Sequence, residues 1–160
     1  MSRTVPVIFG DAMFWAYDVA LGVLFIEAAR VGAEMSEELR PSCWPELEQD
    51  LRTHAFVGGS SAVLLDDFGV ERRQVLLSSA VEAARRIEAR GGVSRGEVST
   101  WPELEESATS FLRGAEHIAA APLVELAQAL VDLAAGKLSP APADRFWYYG
   151  TPEGRIVQGG

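Results

Sequence analysis

Apolar and polar positions along the chain change period several times, and each change marks the edge of an element. Residues 4–10 are short, β-branched and closed by glycine, which predicts a brief strand or extended lead-in. From residue 11 to residue 35 the pattern reads as one helix, with Glu27, Arg30 and Glu34 on one side and Asp11, Asp18 and Gly22 nearly opposite. Its first half is apolar around most of its circumference, so it is the expected central helix. A connector over 36–42 leads to a second helix over 44–56, and the Val57-Gly58-Gly59-Ser60-Ser61 run then breaks the pattern. Residues 62–65 predict a turn of helix before Asp66-Asp67-Phe68-Gly69.

The third helix, 70–90, has the clearest stripe: Leu76, Leu77, Ala80, Val81, Ala83, Ala84 and Ile87 lie opposite Glu82, Arg85 and Arg86, and Gly91-Gly92 ends it. A fourth helix is expected from Trp101 toward His117, bent at Gly114, and a fifth over 122–135, with Pro122 in its first turn and Gly136 at its C-terminal cap. Pro140 and Pro142 stiffen the link over 138–144. Phe146 to Tyr149 and Arg155 to Gln158 read as two short strands around a turn. Two strands alone are marginal in water, so that hairpin needs support. The expected fold is therefore mainly α, a bundle of about five helices in one domain spanning 1–160, with a Pro-linked aromatic hairpin over 138–160.

Repetition adds to this picture. Trp44-Pro45-Glu46-Leu47-Glu48 recurs letter for letter at Trp101 to Glu105, and Glu27-Ala28-Ala29-Arg30 recurs as Glu82-Ala83-Ala84-Arg85. Order and near-constant spacing suggest a duplicated helical hairpin, 22–56 and 77–113, with a groove between the copies as the first place to look for a ligand. Convergent local devices explain the same matches: Thr100 and Glu103 have the form of a capping box, and Glu82 with Arg85 or Arg86 is an ordinary helix-surface pair.

At 160 residues, with 48% hydrophobic and 23% charged residues, the chain is able to bury a sizeable core without staples. The lone Cys43 forms no intramolecular disulfide and suits a reducing, cytoplasmic compartment. Lys137 is the single lysine among 14 basic residues, a skew typical of GC-rich bacterial genomes. A net charge of −9 disfavours nucleic acid and anionic membranes. Asp18 interrupts the most apolar stretch, which also falls short of the roughly 20 residues a bilayer needs, so no membrane span is expected.

The candidate chemistry is sparse. Asp18 is the first acid or base to consider, because Phe14, Trp15, Leu21 and Gly22 would surround its carboxylate with apolar surface, and perturbed acids concentrate at functional sites. A structural role, accepting hydrogen bonds to fix packing, is the simpler expectation. Trp15, Tyr17, His54 and His117 join Asp18 as pocket candidates. Asp50 and His54 are four apart on a helix, yet the chain has no His-x-x-x-His or Glu-x-x-His pair, so no metal and no cofactor is expected. Gly58-Gly59-Ser60-Ser61 lacks the lysine and spacing of a P-loop, which favours a hinge with a serine helix cap. Cys43 near a helix start has no basic partner assignable from sequence.

Glu34, Glu37, Glu38, Glu46, Glu48 and Asp50 lie in one stretch with a single basic residue, Arg40. Such a surface is either simply solvated or a steering face for a basic protein. The aromatics from Phe146 to Tyr149 supply Trp147 and Tyr149 as interface anchors, or else fold back to close the core. The leading expectation is a non-enzymatic interaction module for a basic protein, immunity- or adaptor-like by analogy. The alternative is a small-molecule binder or small enzyme with its site near Asp18, and a homodimer is a third reading, because so apolar a first helix calls for a partner surface.

Overall fold

A computed structural model describes residues 4–57, 62–102 and 108–159. Alternation governs the start of the chain. Strand β1 (Thr4–Phe9) runs antiparallel to β2 (Ala12–Tyr17), joined through Gly10 and Asp11, with Gly10 at a φ of 58° that suits a tight hairpin turn. The helix expected from Asp11 therefore begins only at Asp18. The strand escapes a periodicity reading because Phe14 and Ala16 point into the core while Met13, Trp15 and Tyr17, on the other side, are also apolar. A continuous apolar run looks the same as a buried helix.

Helix α1 (Asp18–Ala33) is central as expected, with thirteen of its sixteen residues buried. It packs on α2 (Trp44–Val57), which starts where the sequence predicts. The turn of helix expected over 62–65 is instead strand β3 (Val63–Leu64), followed by a 3₁₀ turn over Leu65–Phe68. Two β-branched or branched apolar residues pair there with β1, which outweighs local helix preference. Helix α3 (Gly69–Ala89) buries Leu76, Ala80, Ala83, Ala84 and Ile87 of its predicted stripe, whereas Val81 is exposed, and it stops at the glycine pair, whose second member opens β4 (Gly92–Ser94).

The fourth helix departs most from expectation. Ser94 caps a short α4 (Arg95–Val98) by accepting from the Glu97 amide, and Trp101 follows α4 outside any helix. Among the described residues of the expected helix, Ala108–Phe111 form a helical turn, α5. Arg113 (φ 53°) and Gly114 (φ 81°) then reverse the chain, and His117 enters strand β5 (His117–Ala119), antiparallel to β4. Thr100 donates to the Glu97 carbonyl; the Glu103 half of its expected capping box lies outside the described residues, as do Glu105 of the repeat and Gly58 to Ser61. Helix α6 (Ala120–Ala134) leads to β6 (Arg145–Thr151) and β7 (Gly154–Gly159), the C-terminal antiparallel hairpin.

The chain is thus mainly helical, a bundle built on α1, α2, α3 and α6, with the β6–β7 hairpin at its C-terminal end. The hairpin gains its support by pairing in parallel with β2, which completes a five-stranded sheet in the order β3-β1-β2-β6-β7. Val5, Val7, Phe14, Ala16 and Tyr149 turn one face of that sheet to the helices, and the core fills the space between the layers. Among the described residues no helix is long and apolar enough to cross a membrane.

Candidate functional site

The acidic stretch becomes a defined surface through Arg40. Its guanidinium turns back to donate to the carbonyls of Ala33 (3.2 Å) and Met35 (2.7 Å), satisfying acceptors at the C-terminal end of α1. The one cation in the stretch is thereby bonded to backbone, and Glu37 and Glu38 stand exposed in the connection between α1 and α2. On either side of them along the chain are two exposed apolar residues, Leu39 at 74% exposure and Met35 at 40%.

The other acids of the stretch are partly engaged. Glu34 is exposed but bonded to Arg86, which also meets Glu82; together with Arg85 this holds the Glu82 carboxyl down to about 2. Glu46 is exposed and 3.8 Å from Arg72, while Glu48 accepts from the Trp44 indole (2.9 Å) and neighbours Arg52. Asp50 accepts from Arg72 at 2.8 Å. Glu37 and Glu38 thus lie exposed in the connection immediately before the exposed Leu39.

Asp18 sits in the first turn of α1, where the positive end of the helix dipole favours a carboxylate. Both its oxygens accept from Arg113, at 3.1 Å from Nε and 2.5 Å from Nη2, with only 10% of the aspartate side chain exposed. That fork is the donor a buried carboxylate requires. Tyr17 adjoins the pair: burial and then the Asp18 charge push its phenol above the usual range, against Arg113. The structure thus brings Tyr17 and Asp18 together and adds Arg113, which nothing in the sequence marked, since it is 95 residues away.

The histidines go elsewhere. His54 lies between the rings of Phe25 (6.3 Å) and Phe68 (6.1 Å), where burial holds its imidazolium below the ordinary range despite Asp50 one turn earlier. It lines a cleft of about 270 Å³ with Asp50, Asp67, Phe68 and Arg72. Arg72 bonds Asp50 and the carbonyls of Asp67 and Phe68, so the cleft's acids face a cation supplied by the protein itself. His117 is exposed on β5, its imidazole against Gly92, at 2.6 Å from where a β-carbon would be. Among the described residues no group of three metal-ligating side chains converges.

The remaining candidates separate by burial. Tyr149 is 5% exposed and packs edge-on against Phe14, which makes it part of the core and not a surface anchor. Trp147 is half-buried, donates to the Ser139 carbonyl (2.8 Å) and lies under Arg155. Trp15 is half-buried on the outward side of β2. Burial and the neighbouring Glu71 push the Cys43 thiol above its ordinary range, the opposite of an activated nucleophile. Sequence reasoning missed Met35 and Leu39, although large apolar residues in an otherwise polar connector are a readable signal. No protein-family model, curated protein or solved structure matches this chain.

Proposed function

We propose that the chain is a protein-interaction module that engages a basic partner through the connection between α1 and α2. The observation that carries this reading is Leu39, three-quarters exposed and directly following the exposed Glu37 and Glu38, with the exposed Met35 four residues before it. An apolar anchor surrounded by charge has the anatomy of a binding hot spot within a polar rim. The net charge of −9 adds long-range steering toward a cationic surface. A neutralising or adaptor role, immunity-like in kind, is the finer form of this reading. Ligand binding beside Asp18 ranks second, because a ligand there competes with Arg113 for a carboxylate whose two oxygens are both engaged.

The test uses a panel of synthetic cationic amphipathic peptides and equally charged peptides without apolar residues, with binding read by fluorescence anisotropy. The amphipathic peptides are expected to bind, more weakly as salt rises. Leu39→Ser is expected to weaken them by roughly tenfold, and Glu37→Gln with Glu38→Gln to slow association and flatten the salt dependence. Binding that ignores Leu39→Ser, or an absence of binding across the panel, would count against the proposal.

A further inference from the structure

Ala121, Glu125, Gln128 and Asp132 recur at helical spacing and so share one side of α6. They form a wall of a cleft of about 420 Å³, which Glu88 of α3 and the β6–β7 hairpin close from the other sides. Ala129 and Tyr149, at 2% and 5% exposure, make its floor. A second hollow of about 150 Å³ shares Glu88, Val124 and Gln128 and prolongs the cleft along the seam between α3 and α6.

Three carboxylates line the cleft, Glu88, Glu125 and Asp132, and among the described residues none of them forms an ion pair. Elsewhere the fold answers a withdrawn carboxylate with an arginine: Asp18 with Arg113, Glu27 with Arg90 and Asp50 with Arg72. Here Arg155 lines the rim but lies over the Trp147 indole, 3.9 Å from the ring centre. Glu125 is half-buried, and its Oε1 is shut off from solvent without a hydrogen-bond partner, 3.5 Å from where a β-carbon on Gly154 would stand. The floor supplies an independent signal. Tyr149 is buried with its ring edge-on to Phe14, yet its hydroxyl makes no hydrogen bond among the described residues and is not sealed from solvent, so it opens on the cleft. Buried polar groups are ordinarily paired, and a carboxylate and a phenol left without partners on one cavity point to a donor from outside the chain.

We propose that this cleft binds a linear aliphatic polyamine, a diamine or triamine protonated at neutral pH. Its ammonium groups supply the donors that Glu125 and Tyr149 lack, and their charge balances three carboxylates that face a single guanidinium. The methylenes between them lie against Val124, Ala121 and Ala129. Glu125 and Asp132 are seven residues apart, roughly 10 Å along α6, and Glu88 stands on the facing wall, so ammonium groups spaced by alkyl links match the carboxylates better than one compact cation. A bare divalent metal fits poorly, because among the described residues no three metal-ligating side chains converge. The cleft is separate from the α1–α2 connection, and the proposal does not depend on the partner-binding reading.

Isothermal titration calorimetry of the full chain with spermidine, putrescine, butylamine and magnesium chloride tests the proposal at physiological ionic strength, where diffuse attraction to an acidic surface is screened. One spermidine is expected to bind per chain, more tightly than putrescine, with butylamine weaker still and magnesium unable to displace it at equal concentration. Glu125→Gln is expected to weaken spermidine by roughly tenfold or more and Tyr149→Phe by several-fold. Both substitutions keep the side-chain shape, and the hydroxyl that Tyr149→Phe removes holds nothing in the fold. Glu37→Gln with Glu38→Gln, on the distant connection, leaves the affinity unchanged. Spermidine also raises the thermal midpoint of the native chain, and raises that of Glu125→Gln less. An absence of binding by every amine overturns the proposal, as does spermidine binding that ignores both Glu125→Gln and Tyr149→Phe. Displacement of spermidine by an equal concentration of magnesium would overturn it too, by reducing the effect to general charge.

Discussion

A β-carbon at Gly32 would lie 2.0 Å from Cζ2 of Trp44, so α1 and α2 meet with an indole laid directly on helix backbone. Gly32→Ala is expected to displace that buried ring and destabilise the fold by about 2 kcal/mol, measured by urea denaturation. The sequence shows a glycine and a tryptophan near a helix end and start; it does not show that they touch. His54 supplies a second residue-level expectation. Burial lowers its folded pKa below the unfolded value, so in that window the unfolded chain binds more protons, and stability falls as pH drops below about 6.5. In His54→Gln this contribution to the slope between neutral and mildly acidic pH is expected to vanish in denaturation series across that range. Asp18, readable as a carboxylate amid apolar neighbours, was legible as needing a donor, but the identity of that donor was not.

Among the elements, α3 was legible because one face is solvated and its stripe is written in the spacing of residues three and four apart. α1 was legible as buried because it is apolar all round. β2 was not, because both sides of the strand are apolar: Phe14 faces helices and Trp15 faces outward. The segment after α4 was not legible because its course depends on a left-handed arginine. Arg113, at φ 53°, is held there by its fork on Asp18, which ties the segment after α5 to the start of α1. Arg113→Ala is expected to cost about 2 kcal/mol, since it strands a largely buried carboxylate. Arg113→Gly is expected to cost about 1 kcal/mol less than the alanine variant, because glycine adopts positive φ without strain. Equal losses in thermal or denaturant unfolding would show that backbone conformation contributes nothing at this position.

At the scale of the whole molecule, a chain of net charge −9 folds its core between a five-stranded sheet and a layer of helices. Glu37 and Glu38 stand exposed on the connection between α1 and α2, immediately before the exposed Leu39. The acidic stretch was plain in the sequence because its charges are consecutive. The sheet was hidden because it draws on five strands that are adjacent only after folding. Composition and local period determined a mainly helical chain, its central helix, the stripe of α3 and the C-terminal hairpin, since each depends on residues within about one turn or one strand of one another. Tertiary structure alone decided which apolar segment became strand, which cation answered Asp18 and in what order the strands joined one sheet. Those outcomes rest on partners 56 residues apart, as between Gly10 and Asp66, or 95 apart, as between Asp18 and Arg113, and no local pattern encodes such a pairing.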